Sequence, residues 1–105
     1  MQSKYLKLFV YGTLLDPDIQ MNIIGRRIKG VKDRLRGYKK IWRQFSCGVY
    51  PDLIECDGNE VDGEILDLSI SELKKCDQYE GHEYFQLPVK LKSGIQAIAY
   101  KGKSM

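Results

Sequence analysis

Apolar positions recur along this chain at two spacings, and the spacings predict its elements. Between Ser69 and Gly81, Ile70, Leu73 and Cys76 fall on one face of a helix. Ser69 followed by Glu72 makes a capping box, and Gly81 suits the left-handed residue just past a helix end. A shorter helix is predicted from Asp16, as cap, and Pro17, at the first position, through Ile19, Ile23 and Ile24 to Gly25. Elsewhere the period is two. Leu6 to Tyr11 is a β-rich run ending at Gly12, and Phe85, Leu87, Val89 and Leu91 alternate with Gln86, Pro88 and Lys90. Pro88 predicts an edge or a bulge for that strand.

Residues 28–45 read as one long or two short extended segments, with bends or bulges at Gly30 and Gly37. Pro51 to Glu55 and Val61 to Leu68 read as strands either side of an Asp57-Gly58-Asn59 turn, and Ile95 to Tyr100 as the last strand. Short strands with two helices give an α+β class, built as a small mixed β-barrel or a strongly curled sheet.

The chain of 105 residues supports one modest core, so residues 1–105 read as a single domain with no repeat or linker to divide them. No apolar run approaches the roughly 18 residues of a membrane span, and Met1 to Lys7 lacks the apolar stretch of a secretory signal. Cys47, Cys56 and Cys76 are odd in number and contain no Cys-x-x-Cys pair. Free thiols in a reducing cytoplasm are the expectation.

The net charge of +3 hides an asymmetry. Nine Lys or Arg residues and one acid, Asp33, lie between Arg26 and Arg43, while the rest of the chain has eight basic residues against thirteen acidic ones. Such a stripe attracts nucleic acid or an anionic partner. It equally forms the solvated face of strands, with Lys and Arg guarding a sheet edge. Aromatic residues within it are sparse, Tyr38 and Trp42 only, which argues against nucleic acid.

Two features carry candidate chemistry. Glu80 lies seven residues beyond Leu73, two helical turns on, and so returns to the inward stripe at the negative end of the helix dipole. Burial and the dipole both raise the pKa of a carboxylate so placed, which makes Glu80 a candidate general base. The competing reading is an exposed helix-end Glu that frays into solvent. Tyr11-Gly12-Thr13-Leu14 leaves the first strand and approaches a helix start, where several backbone N–H groups can converge on a carboxylate or oxyanion. A plain turn is the competing reading there. A Cys–His nucleophile would need His82 near one of the three cysteines, and no spacing joins them. Three Cys and one His also lack the ligand pairing of a zinc site.

Taken in order, four segments resemble a known family. Leu8-Phe9-Val10-Tyr11-Gly12-Thr13-Leu14 is similar to the N-terminal signature of the γ-glutamylcyclotransferase-like proteins, a group with γ-glutamylamine cyclotransferases and AIG2-like proteins. Tyr50-Pro51-Asp52-Leu53 resembles the Tyr-Pro-Ala-Leu segment of that group. Val61-Asp62-Gly63-Glu64-Ile65-Leu66 is similar to its Val-x-Gly-Glu-Leu-Tyr strand, and Cys76-Asp77-Gln78-Tyr79-Glu80-Gly81 to its Leu-Asp-x-Tyr-Glu-Gly helix end, with Tyr84 opening the next strand. Gln86 stands where the group usually has Arg, which removes a charge expected near the pocket rim.

The resemblance implies a small β-barrel with flanking helices and a cavity between the first loop and the Glu-bearing helix. It implies an enzyme, a cyclising acyltransferase that converts a γ-glutamyl amine or peptide to 5-oxoproline and free amine. Glu80 would be the acid/base; Tyr11, Gly12, Thr13, Leu14 and Tyr84 would bind substrate. No metal or cofactor is expected, and the partner is a small molecule rather than a membrane or nucleic acid. The alternative is a non-catalytic barrel module that binds an acidic or nucleic-acid partner through the basic 26–43 segment.

Overall fold

In the computed structural model, which describes residues 6–103, the apolar run near the N-terminus becomes the middle strand of five. This strand, β1 (Leu6–Val10), is followed by a single 3-10 turn (Thr13–Leu15), α1 (Pro17–Ile24), β2 (Val31–Phe45), β3 (Gly48–Leu68), α2 (Ile70–Glu80), β4 (Tyr84–Lys90) and β5 (Gln96–Gly102). The sheet order is β2-β3-β1-β5-β4. β1 runs antiparallel to β3 and parallel to β5, so the sheet is mixed, as the α+β expectation had it. β4 is an edge strand, which leaves the missing N–H of Pro88 without cost.

Alternate residues of β1 serve two cores. Leu8 and Val10 pack with Leu66, Leu68, Leu73, Cys76 and Ile24, on the side covered by the helices. Phe9 and Tyr11 pack with Leu35, Leu53, Val61, Leu91 and Ala99. That second cluster draws on strands, on Tyr11 just beyond β1 and on the turn between β4 and β5, with no helix residue, so the sheet must curl over its own inner face to keep it dry. The curl brings the β4–β5 turn against β2, where the Lys92 N–H donates to the Arg34 carbonyl at 2.8 Å. The result is a half-barrel with one bridged gap.

Both helices end where their cap residues predict. The Asp16 carboxylate accepts from the Asp18 N–H at 2.9 Å, Pro17 opens α1, and Gly25 closes it at φ +96°. Ser69 and Glu72 form the full capping box of α2, and Glu72 is further fixed by Arg26 at 2.6 Å. These contacts hold the Glu72 carboxyl at a pKa of about 2, chiefly through Arg26. Ile70 departs from the expected inward stripe: it is 52% exposed, and apolar burial begins a turn later at Leu73. The first turn is fixed by polar contacts to Ser69 and Glu72, not by packing.

The expected Asp57-Gly58-Asn59 turn is a bulge instead. Tyr38 pairs with Glu55 and Arg36 with Glu60, so residues 56–59 are extra length within one continuous strand, opposite Gly37. Gly37 and Gly58 both sit at φ +84°, a left-handed conformation that a bulge and a turn equally require. The chain reverses earlier, between Phe45 and Gly48.

Close approach of β3 to β1 depends on Gly63, where a Cβ would lie 2.4 Å from the Val10 carbonyl oxygen and 2.6 Å from Cζ of Phe9. Both neighbours are fixed in the sheet interior, so Gly63→Ala is expected to cost about 3 kcal/mol, near the upper end of overpacking effects. Urea unfolding of the variant would measure it; a loss below about 1 kcal/mol would mean that the strands separate freely.

Candidate active site

Beyond Val10 the chain leaves the sheet and enters the 3-10 turn through Gly12, whose added Cβ would come within 3.1 Å of Cγ of Pro51. The turn closes with the Leu15 N–H donating to the Gly12 carbonyl and the Asp16 N–H to that of Thr13, both at 3.0 Å. The N–H groups of Gly12, Thr13 and Leu14 have no acceptor among the described residues. All three residues line a cavity of about 160 Å³. Leu14 also belongs to the helix-side core. The Thr13 hydroxyl lies 2.8 Å from that of Tyr79, tying the loop to α2.

The same cavity is lined by Glu80, the last residue of α2. Leu73 and Cys76 anchor the same face of the helix, and this fixes the direction of the carboxylate. Burial lifts the Glu80 pKa to about 7. No cation or hydrogen-bond donor among the described residues offsets that penalty. The side chain therefore takes the sheltered position expected of it, not the frayed one.

The remaining walls are mainly aromatic: Phe9, Tyr11, Phe45, Tyr50, Tyr79, Tyr84 and Tyr100, with Pro51. Tyr11 donates its hydroxyl to the Tyr100 carbonyl, and Tyr84 to the Pro51 carbonyl at 2.6 Å. Burial, reinforced by the charges of Asp52 and Glu80, pushes the Tyr11 and Tyr84 hydroxyls far above the usual phenol range. They remain protonated donors. Beneath the cavity, Tyr100 donates to Asp77 of α2, which also accepts from Gln86 Nε2 at 2.8 Å. Gln86 is not part of the cavity wall, so the substitution expected to strip charge from the rim acts on the docking of α2 to β4 instead.

All six residues singled out from the sequence, Glu80, Tyr11, Gly12, Thr13, Leu14 and Tyr84, line this one cavity. Sequence reasoning missed Phe45, Cys47, Tyr50 and Glu83, which complete the mouth. The first three come from the β2–β3 hairpin tip, which the expected turn at residues 57–59 had placed elsewhere. His82 and the cysteines do not form a group of three or more metal-ligating side chains among the described residues.

The basic segment is largely matched by acids. Arg26 pairs with Glu72, Arg27 with Asp18, Arg34 with Glu60 and Asp62, Arg36 with Glu60, and Arg43 with Asp52. Antiparallel pairing lays the basic β2 against the acidic middle of β3, which is why the stripe is less positive than its sequence suggests.

Comparison with known proteins agrees with this geometry. The family described as gamma-glutamyl cyclotransferase, AIG2-like, matches residues 8–104. AIG2-like protein B of Arabidopsis thaliana is 35% identical over 78 residues, covering 73% of this chain and 44% of its own length. AIG2-like protein A of the same plant is 30% identical over 83 residues, covering 78% and 49%. The chain thus spans about half the length of these curated relatives. A solved structure titled gamma-glutamyl cyclotransferase superposes with a TM-score of 0.82 at 20% identity, over 95% of this chain and 68% of the other, a likeness of fold. Half-barrel, helix pair and matched segments together place the chain in the gamma-glutamyl cyclotransferase, AIG2-like family.

Proposed function

We propose that this protein is a γ-glutamyl cyclotransferase-type enzyme, releasing 5-oxoproline and a free amine from a γ-glutamyl amine or peptide. One observation carries the reading: the sheltered Glu80 carboxylate, its pKa pushed up to about 7 by burial, lines the same small cavity as a loop of unpaired backbone N–H groups. Family membership supports it.

The chemistry needs few groups. The α-amine and the γ-carbonyl belong to one molecule, so the cavity only has to select the folded conformer. Glu80 accepts a proton from the α-ammonium, and the freed amine attacks the γ-carbon to form the ring C–N bond. The exocyclic C–N bond then breaks as Glu80 returns that proton to the leaving amine; the ring nitrogen sheds its second surplus proton through Glu80 to the same amine, which departs as an ammonium. The N–H groups of Gly12, Thr13 and Leu14 hold the substrate carboxylate or the developing oxyanion. Tyr84 and Tyr11, kept protonated, shape the wall beside Glu80. The step is redox-neutral and consumes no second substrate.

Incubating the protein with a panel of γ-glutamyl dipeptides and γ-glutamyl amines tests the reading, with 5-oxoproline as the readout. Release from at least one panel member is the expected result. Absence of 5-oxoproline across the panel at high enzyme concentration would overturn it.

A further inference from the structure

The cavity's mouth says something about the amine half of the substrate. At about 160 Å³ the cavity is smaller than the roughly 300–1,000 Å³ of a drug-sized site, so it holds a compact acyl group and leaves the rest of the ligand at the rim. That rim is built by the β2–β3 hairpin tip and by the turn between α2 and β4. Phe45, Cys47 and Tyr50 come from the tip, Glu83 and Tyr84 from the other side. No Lys, Arg or His lies among the described residues lining the cavity. Arg43 lies behind the tip, bound to Asp52 (2.8 Å) and to the Lys103 carbonyl (2.6 Å), with its guanidinium carbon over the Phe45 ring at 4.7 Å from the centroid.

Glu83 is held in place without being neutralised. Its Oε2 accepts from the Ser46 hydroxyl at 3.0 Å, and its backbone carbonyl accepts from the Lys103 N–H at 2.8 Å. Neither donor carries a positive charge. The carboxylate stands half-buried at a mouth that the rings of Tyr50 and Tyr84 also line, while Phe45 is already covered on one side by Arg43. An aromatic wall with one fixed carboxylate that has no ion-pair partner among the described residues attracts an ammonium group and repels a second carboxylate.

We propose that Glu83 is a specificity-determining residue that selects γ-glutamyl amides whose amine half carries a second, positively charged amino group. This rests on the cyclotransferase reading for the acyl half. Anionic amine halves, as in γ-glutamyl peptides that end in a free carboxylate close to the scissile bond, are disfavoured by the same charge.

Three γ-glutamyl amides of equal reach test it: those of 1,4-diaminobutane (cationic end), butylamine (neutral end) and 4-aminobutyrate (anionic end). Binding is measured by calorimetry and turnover by 5-oxoproline release, for the wild type, Glu83→Gln and Glu83→Lys. Gln keeps an acceptor for Ser46 while removing the charge. In the wild type the cationic amide should bind at least about fivefold more tightly than the neutral one, and the anionic amide more weakly still. Glu83→Gln should abolish that ranking, and Glu83→Lys should invert it. Equal binding of the three amides to the wild type, no binding of any, or a ranking unchanged in Glu83→Gln overturns the proposal. Ranked binding without 5-oxoproline release would sustain the role of Glu83 and count against the cyclotransferase reading instead.

Discussion

Glu80→Gln is expected to keep the fold and lose about two to four orders of magnitude in turnover, the range for a positioned acid/base. The two side chains are nearly isosteric, and no hydrogen bond or ion pair among the described residues depends on the carboxylate. What disappears, on the proposed mechanism, is the group that takes and returns a proton. In the wild type the acidic limb of the kcat/KM profile should have its midpoint near 7, because burial lifts the Glu80 pKa to about 7 and only the ionised form is a base.

Stability should move the other way. A folded-state pKa above the unfolded value means that the native state binds more protons between them, so the wild type loses stability as pH rises from about 4.5 to about 7. Glu80→Gln avoids this loss and should be more stable than the wild type at pH 8 by about 1–3 kcal/mol, with the advantage fading at pH 4. Turnover within threefold of wild type would remove Glu80 from the mechanism. Urea unfolding at both pH values would show separately whether the carboxylate is sheltered.

The second large effect is expected at Asp52. This carboxylate is 1% exposed and fully subscribed: Oδ2 accepts from Arg43 at 2.8 Å, and Oδ1 from the N–H groups of Leu53 and Gly102, both at 2.7 Å. It thereby joins the β2–β3 hairpin to the end of β5, strands that are not neighbours in the sheet. The fit is close, since a Cβ on Gly102 would lie 2.5 Å from Oδ2. Asp52→Ala should cost about 3–5 kcal/mol, because it strips Arg43 of its counter-charge and leaves a buried N–H without an acceptor. Out of a typical total of roughly 5–15 kcal/mol, that brings the chain near unfolding at room temperature. Arg43→Met should be comparably damaging, whereas Arg43→Met combined with Asp52→Leu should be milder than the sum of its parts. Strict additivity in that double-mutant cycle would show that the two side chains do not act as a pair.

The chain announces its helices more clearly than its strands. Asp16, Pro17 and Gly25, and likewise Ser69, Glu72 and Gly81, act through bonds within a few residues, so local sequence suffices to place both ends. Asp57-Gly58-Asn59 misleads because a bulge and a reverse turn ask the same left-handed φ of Gly58, and only the register with β2 decides between them. Glu80 is legible in direction, from its distance to Leu73. The cavity it enters is also walled by Pro51 and the hairpin tip, which lie far earlier in the chain. Glu83 carries no signal beyond being an acid after a glycine and a histidine, since its setting is made by Ser46 and Cys47 of a tip that has no turn-forming pair.

The division of labour along β1 bears on how this architecture diversifies. Phe9, Val10 and Tyr11 are each committed to one of two interiors and also line the cavity, so drift there is punished twice. Ser46 and Cys47 bear no such obligation: they are exposed loop residues, yet they abut the side of the recess where a departing group would sit. On the proposed reading, lineages built on this frame are free to rewrite that tip, and so exchange one clientele of amines for another, while the loop and Glu80 stay as they are.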